Sequence, residues 1–328
     1  MEQSLYHLAV YFILRDYSDA DHPVSAKTIL DRLYVEYGIS MGRKKLYRAI
    51  HALESIMDIS TFTDNRKGYY LIERQLDKSE VLHLCHTVHA TSALTPAQAR
   101  NLEERLLSLL SSCQRNEFRG SVYLDNPKNT GSPEWLLNMD LLSEAISHRK
   151  WIEFDYVRCD INKNHVRRPC PYMREPRFIV SDSMHSYLIA TDDRHKDATH
   201  FRIDKIRNLR ILDKDVETFF EKNEAYEYAS SRLFMFSGEP VMAEFICNRT
   251  ENIFDIMIDE FGMNVRFIPL KDDPDHFLLR VKASYSGLVI FSQKYADILY
   301  PISPRQLVED VAQRLSDAAE RLRKILDK

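Results

Sequence analysis

The sequence predicts an α+β protein of several domains, and three observations carry that expectation. Its 328 residues exceed the roughly 100–200 that one domain usually takes. Apolar residues recur at helical spacing near both ends, whereas short runs rich in β-branched and aromatic residues fill the stretch from Trp151 to Leu212. Turn-forming residues from Asp125 to Pro133 mark the clearest linker. Composition and punctuation then give four pieces: residues 1–76, 77–130, 131–228 and 229–328.

In the first piece, Leu5, Leu8, Ala9, Phe12 and Ile13 form one apolar stripe of a helix. Pro23 and Val24 lead to Ser25, an N-cap residue, and Ala26, Ile29, Leu30, Leu33, Tyr34 and Tyr37 give a second amphipathic helix. Gly38 follows where a helix end wants a left-handed residue. After Gly38-Ile39-Ser40 a third helix turns Leu46, Ile50, Leu53 and Met57 inward. A hairpin is expected next, from strands Asp58–Thr63 and Tyr69–Glu73 around the polar turn Asp64–Gly68. Three helices and then a hairpin is the order of a winged helix-turn-helix.

The second piece reads as helical, with Thr95-Pro96-Ala97-Gln98 supplying an N-cap, a proline at the first helical position and a capping-box glutamine. The third opens with a helix carrying Leu141, Leu142, Ala145 and Ile146. Strands Trp151–Val157, Phe178–Ser181, Tyr187–Thr191, Thr199–Ile203 and Ile206–Leu212 follow, the pattern of a small barrel. The fourth reads strand, helix, strand, strand, helix, strand and a final charged helix, a ferredoxin-like order. Within it, Leu288-Val289-Ile290-Phe291 is core packing, and Gln306 to Leu326 is either a solvated face or part of a dimer contact.

Composition excludes several classes. Hydrophobic residues at 44% and charged residues at 29% suffice for buried cores, so the chain is not disordered as a whole. The net charge of −4 excludes a uniformly basic nucleic-acid coat but leaves room for a local basic patch. The apolar run Leu8 to Leu14 is far short of the ~20 residues of a membrane span, and the start lacks a signal-peptide pattern. The five cysteines form no CxxC pair and are expected to be buried and reduced, so the expected location is the cytoplasm. With 8 glycines there is no GxGxxG and no P-loop. No catalytic or metal-ligand spacing is present. His195 with Asp192, Asp193 and Asp197 reads as a solvated hairpin loop, and Cys159, His165 and Cys170 lack a zinc spacing. A binding protein without cofactor or metal is expected rather than an enzyme.

Two constellations carry binding chemistry. Between Met41 and His51 stand Arg43, Lys44, Lys45 and Arg48 with no acidic residue. At about 100° per residue, Lys44, Arg48 and His51 oppose the apolar face, flanked by Lys45 and Tyr47. Cations for phosphates and planar donors for base edges are what a recognition helix needs. Arg66 and Lys67, at the hairpin tip, can reach an adjacent phosphate or the minor groove. In the third piece, Phe154-Asp155-Tyr156, Arg167-Arg168-Pro169-Cys170-Pro171-Tyr172, Ser186-Tyr187-Leu188 and Phe201-Arg202-Ile203-Asp204-Lys205-Ile206 would bring stacking rings and anion donors to one barrel surface.

The order and spelling of these segments resemble the WYL-domain regulators, bacterial proteins with a winged helix-turn-helix, a WYL domain and a C-terminal extension. Ser40 to Leu53 is similar to the family's recognition helix and Gly68-Tyr69-Tyr70-Leu71 to its wing strand. Leu141 to Tyr156 matches the opening of the WYL domain, Ser186-Tyr187-Leu188 stands where Trp-Tyr-Leu usually stands, and Phe201 to Ile206 matches an FRLDRI-like strand. Ala296 to Pro301 and Pro304 to Leu307 resemble the end of the extension. Ser186 and Lys205 depart from the family's tryptophan and arginine. The resemblance implies an Sm- or SH3-like barrel that senses a nucleic acid or nucleotide, and a homodimer built by the extension and the helical linker. The DNA contacts it implies are Ser40, Arg43, Lys44, Lys45, Tyr47, Arg48, His51, Arg66 and Lys67. The sensing residues it implies are Tyr156, Arg167, Arg168, Tyr172, Tyr187, Arg202 and Lys205, with Arg167 and Arg168 competing for one role. The function expected is a homodimeric regulator that binds double-stranded DNA. The alternative is an accessory protein that captures single-stranded RNA or DNA through the barrel.

Overall fold

The computed structural model describes residues 3–121, 131–182, 185–192, 198–216, 240–263 and 265–327. Three helices open the chain: α1 (Gln3–Tyr17), α2 (Ala26–Tyr37) and α3 (Arg43–Glu54). Ser25 caps α2 by accepting the Thr28 amide, and Gly38 ends it at φ +65°, where a side chain would strain the backbone. Ile13, Leu14, Ile29, Leu33, Leu46 and Leu53 meet in one core. α3 begins at Arg43 with Gly42 as its N-cap, so Ser40 precedes the helix instead of opening it.

The expected hairpin is much reduced. Its strands, β1 (Ile59–Ser60) and β2 (Tyr70–Leu71), pair antiparallel over two residues each. A helical turn, α4 (Phe62–Asn65), occupies the second half of the expected first strand. Thr61 donates from its backbone N and Oγ1 to Asp64 Oδ2, at 2.7 and 2.8 Å, and this capping box outweighs the strand preference of Thr-Phe-Thr. Asn65 Nδ2 donates to Ser60 Oγ and the Gly68 carbonyl, and its Oδ1 accepts the Lys67 and Gly68 amides, so the tip is pinned from within. Gly68 is needed there: a Cβ would lie 2.5 Å from the Val24 carbonyl oxygen, across the Val24–Tyr69 bridge.

Three further helices, α5 (Lys78–Ala90), α6 (Pro96–Leu107) and α7 (Ser112–Ser121), belong to the same compact unit, residues 1–133. Thr95 and Gln98 form the expected capping box. Arg74 ties these helices to α1, donating to the carbonyls of Arg15, Ser18 and Leu109. Asp19, only 2% exposed, accepts hydrogen bonds from Ser111 Oγ, from His22 Nδ1 and from the amides of Asp21 and His22. Burial pushes the Asp19 carboxyl up, but the bonds from Ser111 and His22 win and hold it below its usual range.

The second unit covers residues 134–328. α8 (Trp135–Ser147) precedes the strands β3 (Lys150–Cys159), β4 (His165–Arg167), β5 (Tyr172–Asp182), β6 (His185–Thr191), β7 (Thr199–Arg202) and β8 (Ile206–Asp215). β3 pairs β5 and β4 along one edge and β8 along the other. β5, β6 and β7 continue as a meander, and a 3-10 turn, Ile203–Lys205, carries the chain from β7 to β8. The sheet therefore curls into a half-barrel over Leu142, Ala145, Ile152, Phe154, Leu188, Phe201, Ile203 and Ile206. The expected strand Thr199–Ile203 ends one residue early, where the 3-10 turn starts.

The remaining elements are β9 (Pro240–Asn248), α9 (Ile253–Phe261), β10 (Arg266–Leu270), β11 (Asp273–Ser284), α10 (Tyr285–Lys294), β12 (Leu299–Ser303) and α11 (Arg305–Leu326). The sheet order is β10-β11-β9-β12, antiparallel throughout, over a core that includes Phe245, Phe277, Leu288 and Phe291. Only Cys85 and Cys247 are buried; Cys113 is half-buried, and Cys159 and Cys170 stand exposed, against the expectation. Cys159 ends β3 beyond the core and Cys170 follows the exposed β4. Most of the expected linker (125–130), the loop residues 193–197 and the boundary at 228–229 lie outside the described residues. No described helix is long and apolar enough to cross a membrane.

Replacing Asp19 by Asn should destabilise the first unit by about 1–3 kcal/mol, since buried donors lose their charged acceptor. A depressed carboxyl contributes stability above the unfolded aspartate value, near 3.9, and loses it as pH falls through the folded value. Thermal melts of the two proteins should therefore differ fully above about pH 4 and converge below it.

Candidate functional site

α3 separates its residues cleanly. Leu46, Ala49, Ile50 and Leu53 are buried, whereas Arg43, Lys44, Lys45, Tyr47, Arg48 and His51 are exposed. Among the described residues, Arg43, Lys44 and Arg48 have no ion-pair or hydrogen-bond partner for their side chains. Lys45 is engaged within its own domain, its Nζ 3.6 Å from the centre of the Tyr6 ring. His51 Nδ1 lies 3.1 Å from Glu54 Oε2, so an acid sits just past the acid-free window. Tyr47, 45% exposed, has its ring 6.5 Å from that of Tyr69. Ser40 is exposed ahead of the helix. Arg66 and Lys67 are exposed at the tip after α4, Arg66 in the left-handed region at φ 57°. Asn65 bonds the backbone of the tip, and both cationic side chains face solvent.

The half-barrel gathers a second group. Tyr156 on β3 has its hydroxyl accepting the Arg202 backbone amide at 3.2 Å, and burial raises its pKa. Its ring meets Phe201 at 5.4 Å and Tyr172 at 6.2 Å, and Tyr172 stacks on Phe154 at 5.6 Å. Tyr156 and Tyr172 are therefore half core, half surface. Arg168 leans on this cluster, Nη1 donating to the Tyr172 hydroxyl at 2.7 Å with its guanidinium 5.2 Å from the ring centre.

Arg167 goes elsewhere: it pairs with Asp155 at 3.1 Å, and Asp155 also accepts Asn208 Nδ2. Asp155 and Tyr156 are neighbours on one strand and so point to opposite faces. Of the two competing arginines, Arg168 shares the aromatic side and Arg167 does not. Arg202 stands directly across from Tyr187 in the β6–β7 register, and its guanidinium grips Asp204 through two bonds of 3.0 and 2.7 Å. Burial lowers the pKa of Arg202, but the Asp204 bonds and charge outweigh it and the net shift is upward. Lys205 is half-buried in the 3-10 turn, its ammonium without a partner among the described residues.

One residue was not foreseen. Arg174 lies two positions after Tyr172 on β5, its guanidinium 5.1 Å from the Tyr172 ring centre and 5.7 Å from Phe201, and it pairs with Asp192 at 3.1 Å. The period of two from Tyr172 could have found it. Rings with guanidiniums at their edges can stack a base and bind a phosphate, and the free ammonium of Lys205 adds an uncompensated charge.

Among known protein families, the WYL domain matches residues 138–211. No curated protein matches the sequence. Among solved structures, the chain is similar to proteasome accessory factor B/C (PafBC) of Arthrobacter aurescens, at 16% identity and a TM-score of 0.27 over 94% of this chain and 46% of that one. It thus spans under half the length of PafBC. It is also similar to a CRISPR Cas-related protein, at 15% identity and a TM-score of 0.38, over 99% of this chain and 87% of that one.

Replacing Tyr156 by Phe removes the acceptor of the Arg202 amide and should cost about 1 kcal/mol in urea unfolding. Arg167→Ala, which breaks an exposed ion pair on the other face, should cost under about 1 kcal/mol.

Proposed function

Because the chain carries a WYL domain across residues 138–211, we propose that it is a homodimeric, DNA-binding transcriptional regulator whose WYL domain senses a nucleic-acid or nucleotide-type effector. The observation that carries the DNA-binding part is the outer face of α3, where Arg43, Lys44 and Arg48 stand exposed and unpaired above a buried apolar face. On this reading the first three helices and the β1–β2 pair are a winged helix-turn-helix. α3 lies in the major groove, Lys44, Arg48 and Tyr47 meet bases and phosphates, and Arg66 and Lys67 hold the adjacent backbone. Arg43 adds a further unpaired cation at the start of the helix, whereas Lys45, His51 and Ser40 contribute less. Lys45 already sits on Tyr6, His51 beside Glu54, and Ser40 ahead of the helix.

The effector part is supported by the aromatic group of the half-barrel, read as an Sm- or SH3-like barrel. Arg168 and Lys205 are its cations least neutralised by carboxylates, since Arg202 is held by Asp204 and Arg167 by Asp155. Tyr156, Tyr172 and Tyr187 supply ring faces. The C-terminal sheet and helices read as a ferredoxin-like extension that serves dimerisation. The role is binding, without catalysis or cofactor, in the cytoplasm. An effector that prefers one dimer geometry would then shift the spacing of the two recognition helices and so the affinity for an inverted repeat.

Charge reversal at Lys44→Glu with Arg48→Glu should lower duplex affinity at least about 30-fold in a fluorescence-anisotropy titration, since each such contact is worth about 1–3 kcal/mol. Unchanged duplex binding would show that α3 is not a recognition helix. Arg168→Ala with Lys205→Ala should weaken binding of a single-stranded oligonucleotide about 10-fold and leave duplex binding intact. If instead the wild-type protein binds single strands with no duplex preference, the barrel is the working surface and the protein is a single-strand-binding accessory.

A further inference from the structure

The chain passes from its first unit to its second between Pro133 and Glu134, and both sides of that bond are tied down. On the first side, Ser132 donates its amide to the Ala93 carbonyl at 2.9 Å, and Gln98 Nε2 donates to the Pro133 carbonyl at 3.0 Å. Gly131 lies so close to the same segment that a Cβ would stand 1.9 Å from the Leu94 carbonyl oxygen. On the second side, Glu134, the residue before α8, meets β8 with both carboxylate oxygens. Its Oε2 accepts the Asn208 amide at 2.9 Å, and its Oε1 lies 3.8 Å from Arg207 Nε. The two grips sit on consecutive residues, so a displacement of Glu134 reaches Pro133 through one planar peptide bond.

Arg207 leads from this joint to the effector group. Its Nη1 donates to the carbonyls of Asp204 and Ile206, both at 2.8 Å, so one guanidinium holds the end of the 3-10 turn Ile203–Lys205 and faces Glu134 as well. α8 takes a second hold on the same place, Asn138 Nδ2 donating to the Ile206 carbonyl at 3.0 Å. The sensing cations converge on this turn: Lys205 belongs to it, and Asp204 within it grips Arg202 through two bonds. That grip has two states. A guanidinium fork that takes a phosphate cannot keep the same donors on a carboxylate. An anion held by Arg168 and Lys205 also repels Asp204, whose side chain is 9% exposed and poorly screened by water. An anionic effector therefore favours the arrangement in which Arg202 has left Asp204, and such a difference in affinity is what any shift between two states requires.

We propose that Glu134 and Arg207 couple the two units. An anion on Arg202 releases Asp204 and moves the Ile203–Lys205 turn. The Arg207–Glu134 pair and the Asn208–Glu134 bond carry that movement to the Pro133–Glu134 joint and so to the first unit. This rests on the effector sensing in the reading above and names residues outside both binding surfaces that link the two affinities.

Two experiments on the full chain test it, and the first needs no effector. Asp204→Asn loosens the grip on Arg202, so hydrogen exchange should speed up at least about 5-fold at the amides of Asn138 and Asn208, both bonded to Glu134, and at Ser132 across the joint. Amides of β9 and β11 should exchange as in the wild type, and adding Glu134→Ala should abolish the response of Ser132 to Asp204→Asn. A Ser132 amide that does not respond, or responds equally without Glu134, overturns the proposal. The second experiment titrates labelled duplex by fluorescence anisotropy with and without a saturating single-stranded thymidine oligonucleotide. The oligonucleotide should change wild-type duplex affinity at least about 5-fold, whereas Glu134→Ala and Arg207→Ala should bind each nucleic acid within about twofold of wild type and cut that change to under about twofold. Lys150→Ala, which breaks ion pairs to Asp213 and Asp215 in the same unit, should keep it. A full change in Glu134→Ala overturns the coupling and leaves sensing standing. No change in the wild type overturns sensing of single strands, and the Ser132 amide then decides the coupling by itself.

Discussion

The half-barrel depends on the two-residue period of β3, which pairs with β5 and β4 along one edge and with β8 along the other. Ile152, Phe154 and Tyr156 share one face and build the core, while Glu153 and Asp155 take the other. Because the partners of β3 hang from it in fixed register, that alternation decides what every neighbouring side chain can touch. It sets Tyr172 opposite Phe154, leaves Arg168 over the Tyr172 ring and draws Arg167 to Asp155 on the opposite surface. A slip of one residue would exchange the two arginines and dissolve the aromatic group.

The same kind of constraint, at a period of 3.6, governs α3. Its buried stripe leaves no rotational freedom, so Lys44 and Arg48 face outward because Leu46, Ile50 and Leu53 face inward. The first unit is also tightly joined. Arg74, through part-buried bonds, and Asp19, through a buried one, fasten the start of the chain to the segment around Leu109 and Ser111, and unpairing either leaves polar groups stranded. The helices α5 to α7 thus belong to one compact unit with the three helices before them.

Much of this was legible in the sequence, for identifiable reasons. Ser25, Gly38 and the Thr95–Gln98 capping box set helix ends by local chemistry, so their positions follow from residue type alone. The β9–α9–β10–β11–α10–β12 order was legible because apolar periods switch cleanly between two and 3.6. Other features were not. All three residues of β4 are exposed and give no alternation to read. α4 replaces a strand because a Thr61–Asp64 capping box competes with residues of high strand preference, a contest that propensity alone misjudges. The choice between Arg167 and Arg168 needed the register of β3 against β4 and β5, which is a non-local fact. Arg174 was missed because it falls outside the segments that carry the family resemblance.

The proposed function turns on whether the outer face of α3 binds duplex DNA with sequence preference. Its most direct test is a salt titration of wild-type protein against duplex from its own gene's upstream region, with scrambled duplex and the same sequence as single strand alongside. A regulator of this kind should bind the upstream duplex tightly, with binding that weakens steeply and log-linearly with salt and a preference over scrambled duplex of at least about 1,000-fold. Equal, weak binding to both duplexes, or tighter binding to the single strand, would contradict it.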